Sequence, residues 1–160
     1  VPGKPISHLI LTHHHDDHIS GMRPFLEKEL TVMTGISAIR YIPGQTVEPP
    51  FKVMRVFNTV TRIEGARPIE IIRLPDGNPK ADDFLVVYLP EEKILYTTAF
   101  IYPVPEAVFP PAESVELSIY FVNWLDSSGL DVEQIYNVHG MARVEDWHLD
   151  KLREIAASRN

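Results

Sequence analysis

The chain of 160 residues contains no cysteine. That excludes disulfide staples and thiolate metal ligands, and it removes the usual clue to redox compartment. Positive charge is scarce: 15 Lys and Arg stand against 22 Asp and Glu, a formal net charge of −7. Domains that grip a phosphate backbone carry a basic face, and no Lys/Arg cluster marks one here, so no nucleic-acid partner is expected. No apolar run approaches the length of a bilayer span, so no membrane partner is expected either. No targeting segment is recognisable, and an opening Val1 is what a mature product or a fragment would show. The sequence therefore names no compartment and reads as soluble. Internal repeats and low-complexity tracts are also missing. The remaining composition, 44% hydrophobic and 23% charged, is ordinary for a globular protein and predicts one domain over residues 1–160.

What stands out against this background is Thr12-His13-His14-His15-Asp16-Asp17-His18-Ile19-Ser20-Gly21. Six consecutive residues are His or Asp, directly after the apolar run Leu9-Ile10-Leu11. That run predicts a buried strand, here Ile6–Thr12, and strands deliver site residues where they stop. In an extended chain, residues two apart point the same way, so His13 and His15 can aim at one point. The following turn sends Asp17 and His18 towards a second, while His14 and Asp16 face away. Imidazoles with a carboxylate suit zinc, or iron or manganese with more oxygen ligands. An expression tag would be uniform His at a terminus, without alternating Asp and without a strand leading in.

The pattern His13-x-His15-x-Asp17-His18, between an apolar strand and Ser20-Gly21, resembles the signature of the metallo-β-lactamase superfamily. Phe84–Tyr96 is similar to that family's hairpin before its bridging ligand. His139-Gly140, after Ile135-Tyr136-Asn137-Val138, resembles the strand end that carries its last metal histidine. The resemblance implies an αββα sandwich of mixed α/β (α+β) class and a metal-dependent hydrolase. It also implies a metal set of His13, His15, Asp17, His18 and His139, with zinc as the first choice of metal, one or two ions, and iron or manganese as alternatives.

The sequence departs from the family at two ligand positions. Lys80 stands where a histidine is expected before the Leu-Val-Val-Tyr strand, and Ala99 where a bridging aspartate is expected after Ile-Leu-Tyr. Asp17, His18 and His139 would then form a three-ligand site with an open position, and Asp17 takes the catalytic role. His13 and His15 would hold a second ion weakly. A protonated lysine has no lone pair to give a metal, so Lys80 is expected to contact a substrate anion instead. Asp82 and Asp83 are expected in a solvated loop, with ligation as the alternative. The family's opening β-meander is also missing, so the domain is expected to be N-terminally truncated. An uncovered sheet would be completed by a second copy of the chain or by a separate N-terminal segment.

Elsewhere, periodicity and turn residues predict a helix over Met22–Leu30, a strand over Thr31–Thr34, and a short helix over Gly35–Tyr41 closed by Pro43-Gly44. Five strands follow, Phe51–Phe57, Val60–Ile63, Ile69–Leu74, Phe84–Leu89 and Ile94–Thr98, expected in one antiparallel or mixed sheet. The proline-rich Ile101–Pro111 is too apolar for a flexible linker and is expected to pack over the site or against a partner, with plain core cover as the alternative. A buried helix over Ser114–Leu125, a strand over Gln134–Val138 and an amphipathic helix over Arg143–Ala157 complete the chain, with His8 structural and His148 on the surface. The functional expectation is a hydrolase acting on a small-molecule substrate through a metal-activated water. The alternative is a member that has lost catalysis and serves binding or assembly; a nuclease is disfavoured by the acidic balance.

Overall fold

Parallel strands cannot be joined by a tight hairpin, and the first third of the chain is spaced accordingly. Strand β1 (His8–Leu11) is followed by α1 (Asp16–Ile19), a 3-10 turn (Ser20–Met22) and α2 (Arg23–Leu26). Strand β2 (Thr31–Thr34) is followed by α3 (Ile36–Ile39) and β3 (Lys52–Arg55). These three strands form a parallel sheet in the order β1-β2-β3, with His8 opposite Thr31 and Thr31 opposite Lys52. The computed structural model describes residues 3–43 and 50–159. Val1 and Pro2 of the turn-rich lead-in, and Gly44 of the expected Pro43-Gly44 turn, lie outside the described residues.

Central β2 is buried from Val32 to Thr34, as a strand covered on both faces must be. Around it pack Leu11, Ile19, Met22, Leu26, Leu30, Ile42 and Phe51, with Leu9 and Phe25 partly buried at the margin. The single helix expected over Met22–Leu30 is instead a 3-10 turn and one short α-helix. Pro24 sits in the first turn of α2. It lacks an N–H, so no continuous hydrogen-bond ladder can run from α1 through it.

The remaining strands build a six-stranded sheet in chain order: β4 (Val60–Ile63), β5 (Ile69–Arg73), β6 (Leu85–Leu89), β7 (Ile94–Thr98), β8 (Gln134–Asn137) and β9 (Arg143–Val144). Pairs β4/β5 and β6/β7 are antiparallel, and Lys93, at φ 53°, turns the second hairpin. β8 runs parallel to β7, which requires the crossover supplied by α4 (Val115–Ser128). Gly129, left-handed at φ 73°, ends that helix in the manner that favours glycine. The last helix is α5 (Asp146–Ala157).

Four expectations are corrected. Phe51–Phe57 does not join the other middle strands; β3 belongs with β1 and β2, because the crossover through α3 returns it parallel to β2. Arg143-Val144 is not helical but pairs antiparallel with β8. Helix α4 buries only Ser118, Phe121 and Val122 fully, so its apolar circumference is only partly covered. His148 is not on the surface but completely buried, because its ring closes a capping box at the start of α5.

By contacts the chain divides into two compact units. One comprises Val1–Thr59, Arg73–Gly77 and Ala81–Leu85, and the other Val60–Ile72, Asn78–Lys80 and Val86–Asn160. The first carries the parallel sheet. The second carries the two long helices and almost all of the six-stranded sheet.

Candidate metal centre

The first unit holds the His/Asp cluster. β1 ends at Leu11, and the main-chain oxygen of Thr12 accepts a hydrogen bond from Leu85 N at 2.9 Å, which anchors the strand end. His13 is 1% exposed, with its ring stacked on Phe84 at 4.4 Å and its Nδ1 3.1 Å from the Thr12 hydroxyl. These contacts fix both the plane and the rotation of the imidazole. Helix α1 starts at Asp16 with His15 as its N-cap, and His15 O accepts from His18 N and Ile19 N. One helical turn therefore folds His18 back over the strand end.

The result is a cluster of imidazoles. The His13 ring lies 4.7 Å from that of His15 and 4.2 Å from that of His18. His18 Nε2 is 3.3 Å from Asp17 Oδ2, a carboxylate that is otherwise well exposed. The His18 ring thus comes as near to that of His13 as the His15 ring does. His14 lies near parallel to Tyr41 at 5.7 Å with its ring 5.0 Å from that of His15, and Asp16 is exposed. Three imidazoles and a carboxylate, residue types that suit a borderline divalent ion, thus come from one strand end and one helical turn.

His139 and Lys80 belong to the second unit. His139 follows β8 and is half-buried, its ring parallel to Tyr102 at 4.8 Å and 5°. Asn137 Nδ2 donates to His139 O at 3.3 Å and to Ile101 O, while Met141 N donates to Pro103 O at 2.7 Å. Within Ile101–Pro111, Ile101, Pro103 and Phe109 are buried while residues 105–108 are exposed, and Tyr102 lines the histidine turn. Lys80 is half-buried, and its N–H is held at 3.0 Å by the Asn78 side chain. Ala99 is fully buried beside Thr98, which takes a left-handed φ of 63°.

Asp83 corrects another expectation. It is neither solvated nor directed at the histidines: it is buried, accepting from Arg73 Nε at 2.8 Å and from Ile36 N at 3.2 Å. That pairing raises the Arg73 pKa further above its ordinary value, chiefly through the hydrogen bond to Asp83. Sequence reasoning also missed Tyr102, because nothing in a proline-rich apolar run distinguishes a ring that lines a site from one that fills a core.

The sequence model of the metallo-beta-lactamase superfamily matches residues 1–139. The chain belongs to the metallo-β-lactamase superfamily. Three solved structures share the fold. A metallo-beta-lactamase from Pontibacter korlensis has a TM-score of 0.67 at 20% identity, covering 98% of this chain and 71% of that one. The chemotaxis sensor ODP, solved as a peroxy diiron species, has a TM-score of 0.67 at 14% identity, covering 94% and 70%. The flavodiiron protein from Giardia intestinalis has a TM-score of 0.66 at 15% identity, covering 96% and 43%. Among curated proteins, none matches the chain. Superfamily membership and the donor set together support metal binding and a metal-dependent hydrolytic or related activity. No helix among the described residues is long and apolar enough to cross a membrane.

Proposed function

We propose that this metallo-β-lactamase superfamily member is a metal-dependent hydrolase of a small-molecule substrate. The observation that carries the reading is the convergence of the His13, His15 and His18 rings beside Asp17. Groups of this kind are costly to cluster and partly bury unless they serve a ligand. His13, His15, Asp17 and His18 would hold the ion, with His139 added on the strength of the motif it ends. Zinc is the first choice, with one or two ions. Iron is the alternative suggested by the diiron centre named for ODP, and manganese by the oxygen-bearing donor Asp17.

A bound ion supplies a hydroxide near neutral pH and a positive centre for a developing oxyanion. The protein's part is to orient it. Phe84 and Thr12 lock His13, and the first turn of α1 presents Asp17, whose carboxylate takes the catalytic role of ligand and polar partner to the reacting water. Lys80 is proposed to contact an anionic group of the substrate. No nucleic-acid or membrane partner is proposed, in line with the net charge of −7.

A second reading, a binding or assembly protein without catalysis, is favoured by Ala99, a buried methyl at the place of a bridging carboxylate. The two readings separate in one experiment. Metal-loaded protein is screened against esters, thioesters, lactones, amides and phosphoesters, alongside His18→Ala. The hydrolase reading expects turnover of at least one class, falling about 100-fold or more in the variant, as loss of a metal ligand should. Turnover of no class at any metal loading would leave the second reading.

A further inference from the structure

A histidine at the end of a strand has two side-chain torsions to fix before it can hold a ligand, and something must fix them. For His13 the stacked Phe84 and the Thr12 hydroxyl do so. We infer that Tyr102 does the same for His139, as a positioning residue that sets the imidazole plane through its parallel ring. The inference rests on the proposed reading of His139 as a metal ligand.

Four features tie residues 101–103 to the turn that carries His139. The Tyr102 and His139 rings stack at 4.8 Å and 5°. Asn137 Nδ2 bridges Ile101 O and His139 O, the latter at 3.3 Å. Met141 N donates to Pro103 O at 2.7 Å. Gly140, at φ 68°, lies so close that a Cβ there would come within 2.4 Å of Pro103 O. The three hydrogen bonds fix the backbone of the turn, and the close approach requires a glycine in it. None of them restrains rotation of the imidazole about its own side-chain bonds. The stacked Tyr102 ring does, because rotating His139 out of plane would lose the offset contact that aromatic pairs prefer. Groups that orient a metal histidine without touching the ion commonly alter affinity about 10- to 100-fold. A face contact is weaker than a hydrogen bond to the ring, so the lower end applies.

The test uses the full chain, stripped of metal and titrated with cobalt(II) and zinc(II) against a chromophoric chelator. Tyr102→Phe and Tyr102→Trp keep an aromatic face; Tyr102→Leu and Tyr102→Gln remove it. The expected result is wild-type affinity in the first pair and about a tenfold loss in the second. The visible cobalt(II) bands should shift only in the second pair. Two face-removing variants of different polarity guard against one that fails to fold, and circular dichroism identifies the folded one. Undiminished affinity and unchanged bands in a folded Leu or Gln variant would overturn the inference. So would an equal loss in Tyr102→Phe, which would place the effect in the hydroxyl. His139→Ala serves as the reference. If it too leaves the bands unchanged, the reading of His139 as a ligand has failed. If it alters them while the Leu and Gln variants do not, only the role of Tyr102 has failed.

Discussion

His148 shows how one buried ring can tie stability to pH. Its Nδ1 accepts from Glu145 N at 3.0 Å, and its Nε2 lies 3.3 Å from Val104 O, to which the neutral ring donates. Phe109 and Trp147 pack against it, and Glu145 is the ionisable neighbour that acts on it. Burial pushes its pKa below the ordinary value of 6.5, against the opposing pull of its hydrogen bonds and Glu145. The unfolded chain therefore binds this proton more readily than the folded one. The contribution to stability is complete above the ordinary value and is lost as pH falls through it towards the folded value. Urea midpoints should fall from pH 7 to pH 5.5 more steeply in the wild type than in His148→Gln. At pH 8 the variant should be less stable by about 1 kcal/mol, the worth of a hydrogen bond. Parallel pH profiles would show that His148 does not titrate with folding. The His/Asp cluster was legible in the sequence because its members are neighbours along the chain. His148 was not, since its carbonyl partner lies 44 residues away, and a histidine on an amphipathic helix carries no mark of which face it takes.

At the scale of elements, α3 begins where it does because Asp83 pins it. The carboxylate accepts from Ile36 N and from Arg73 Nε, and Asp82 O accepts from the Ser37 hydroxyl at 3.0 Å. The backbone at Gly35 passes so near that a Cβ would meet Asp83 Cβ at 2.4 Å. Asp83→Ala should leave the Ile36 N–H without its partner and Arg73 with only its ion pair to Asp76, at a cost of about 1–3 kcal/mol. Gly35→Ala should cost a similar amount through the clash, about 1–3 kcal/mol. Urea unfolding of both checks this, and a loss below about 0.5 kcal/mol, the range of ordinary surface substitutions, would contradict it. Strand positions were largely readable: Val60–Ile63 and Ile94–Thr98 stand where alternation and turn residues put them. Sheet membership was less so for β3, because apolar alternation fixes which way side chains point but not which strand lies alongside. The short β9, only two residues long, offers too little periodicity to separate it from the helix that follows.

For the whole molecule, the fold class and family were legible because three separated motifs occur in the family's order. Association was not, because a strand edge carries no sequence mark of what pairs with it. The chain spans 71% and 70% of the lengths of the Pontibacter korlensis and ODP structures. Among the described residues, β1 and β3 are the ends of the parallel sheet, and β3 exposes Val53 and Met54, with Phe57 exposed just beyond it. Open edges with apolar side chains favour pairing. The chain is therefore proposed to associate with a second copy of itself. Sedimentation velocity should give a mass above the 18.2 kDa of one chain, and a single-chain mass throughout the micromolar range would contradict association with a second copy.

Metal binding by the cluster of His13, His15, Asp17 and His18 underlies the proposed function. Its most direct test is elemental mass spectrometry of protein purified without added metal or chelator, compared with His13→Ala and His18→Ala. Close to one or two equivalents of zinc, iron or manganese per chain are expected in the wild type, with marked loss in both variants. Next to none in the wild type, with no uptake when metal is returned, would contradict it.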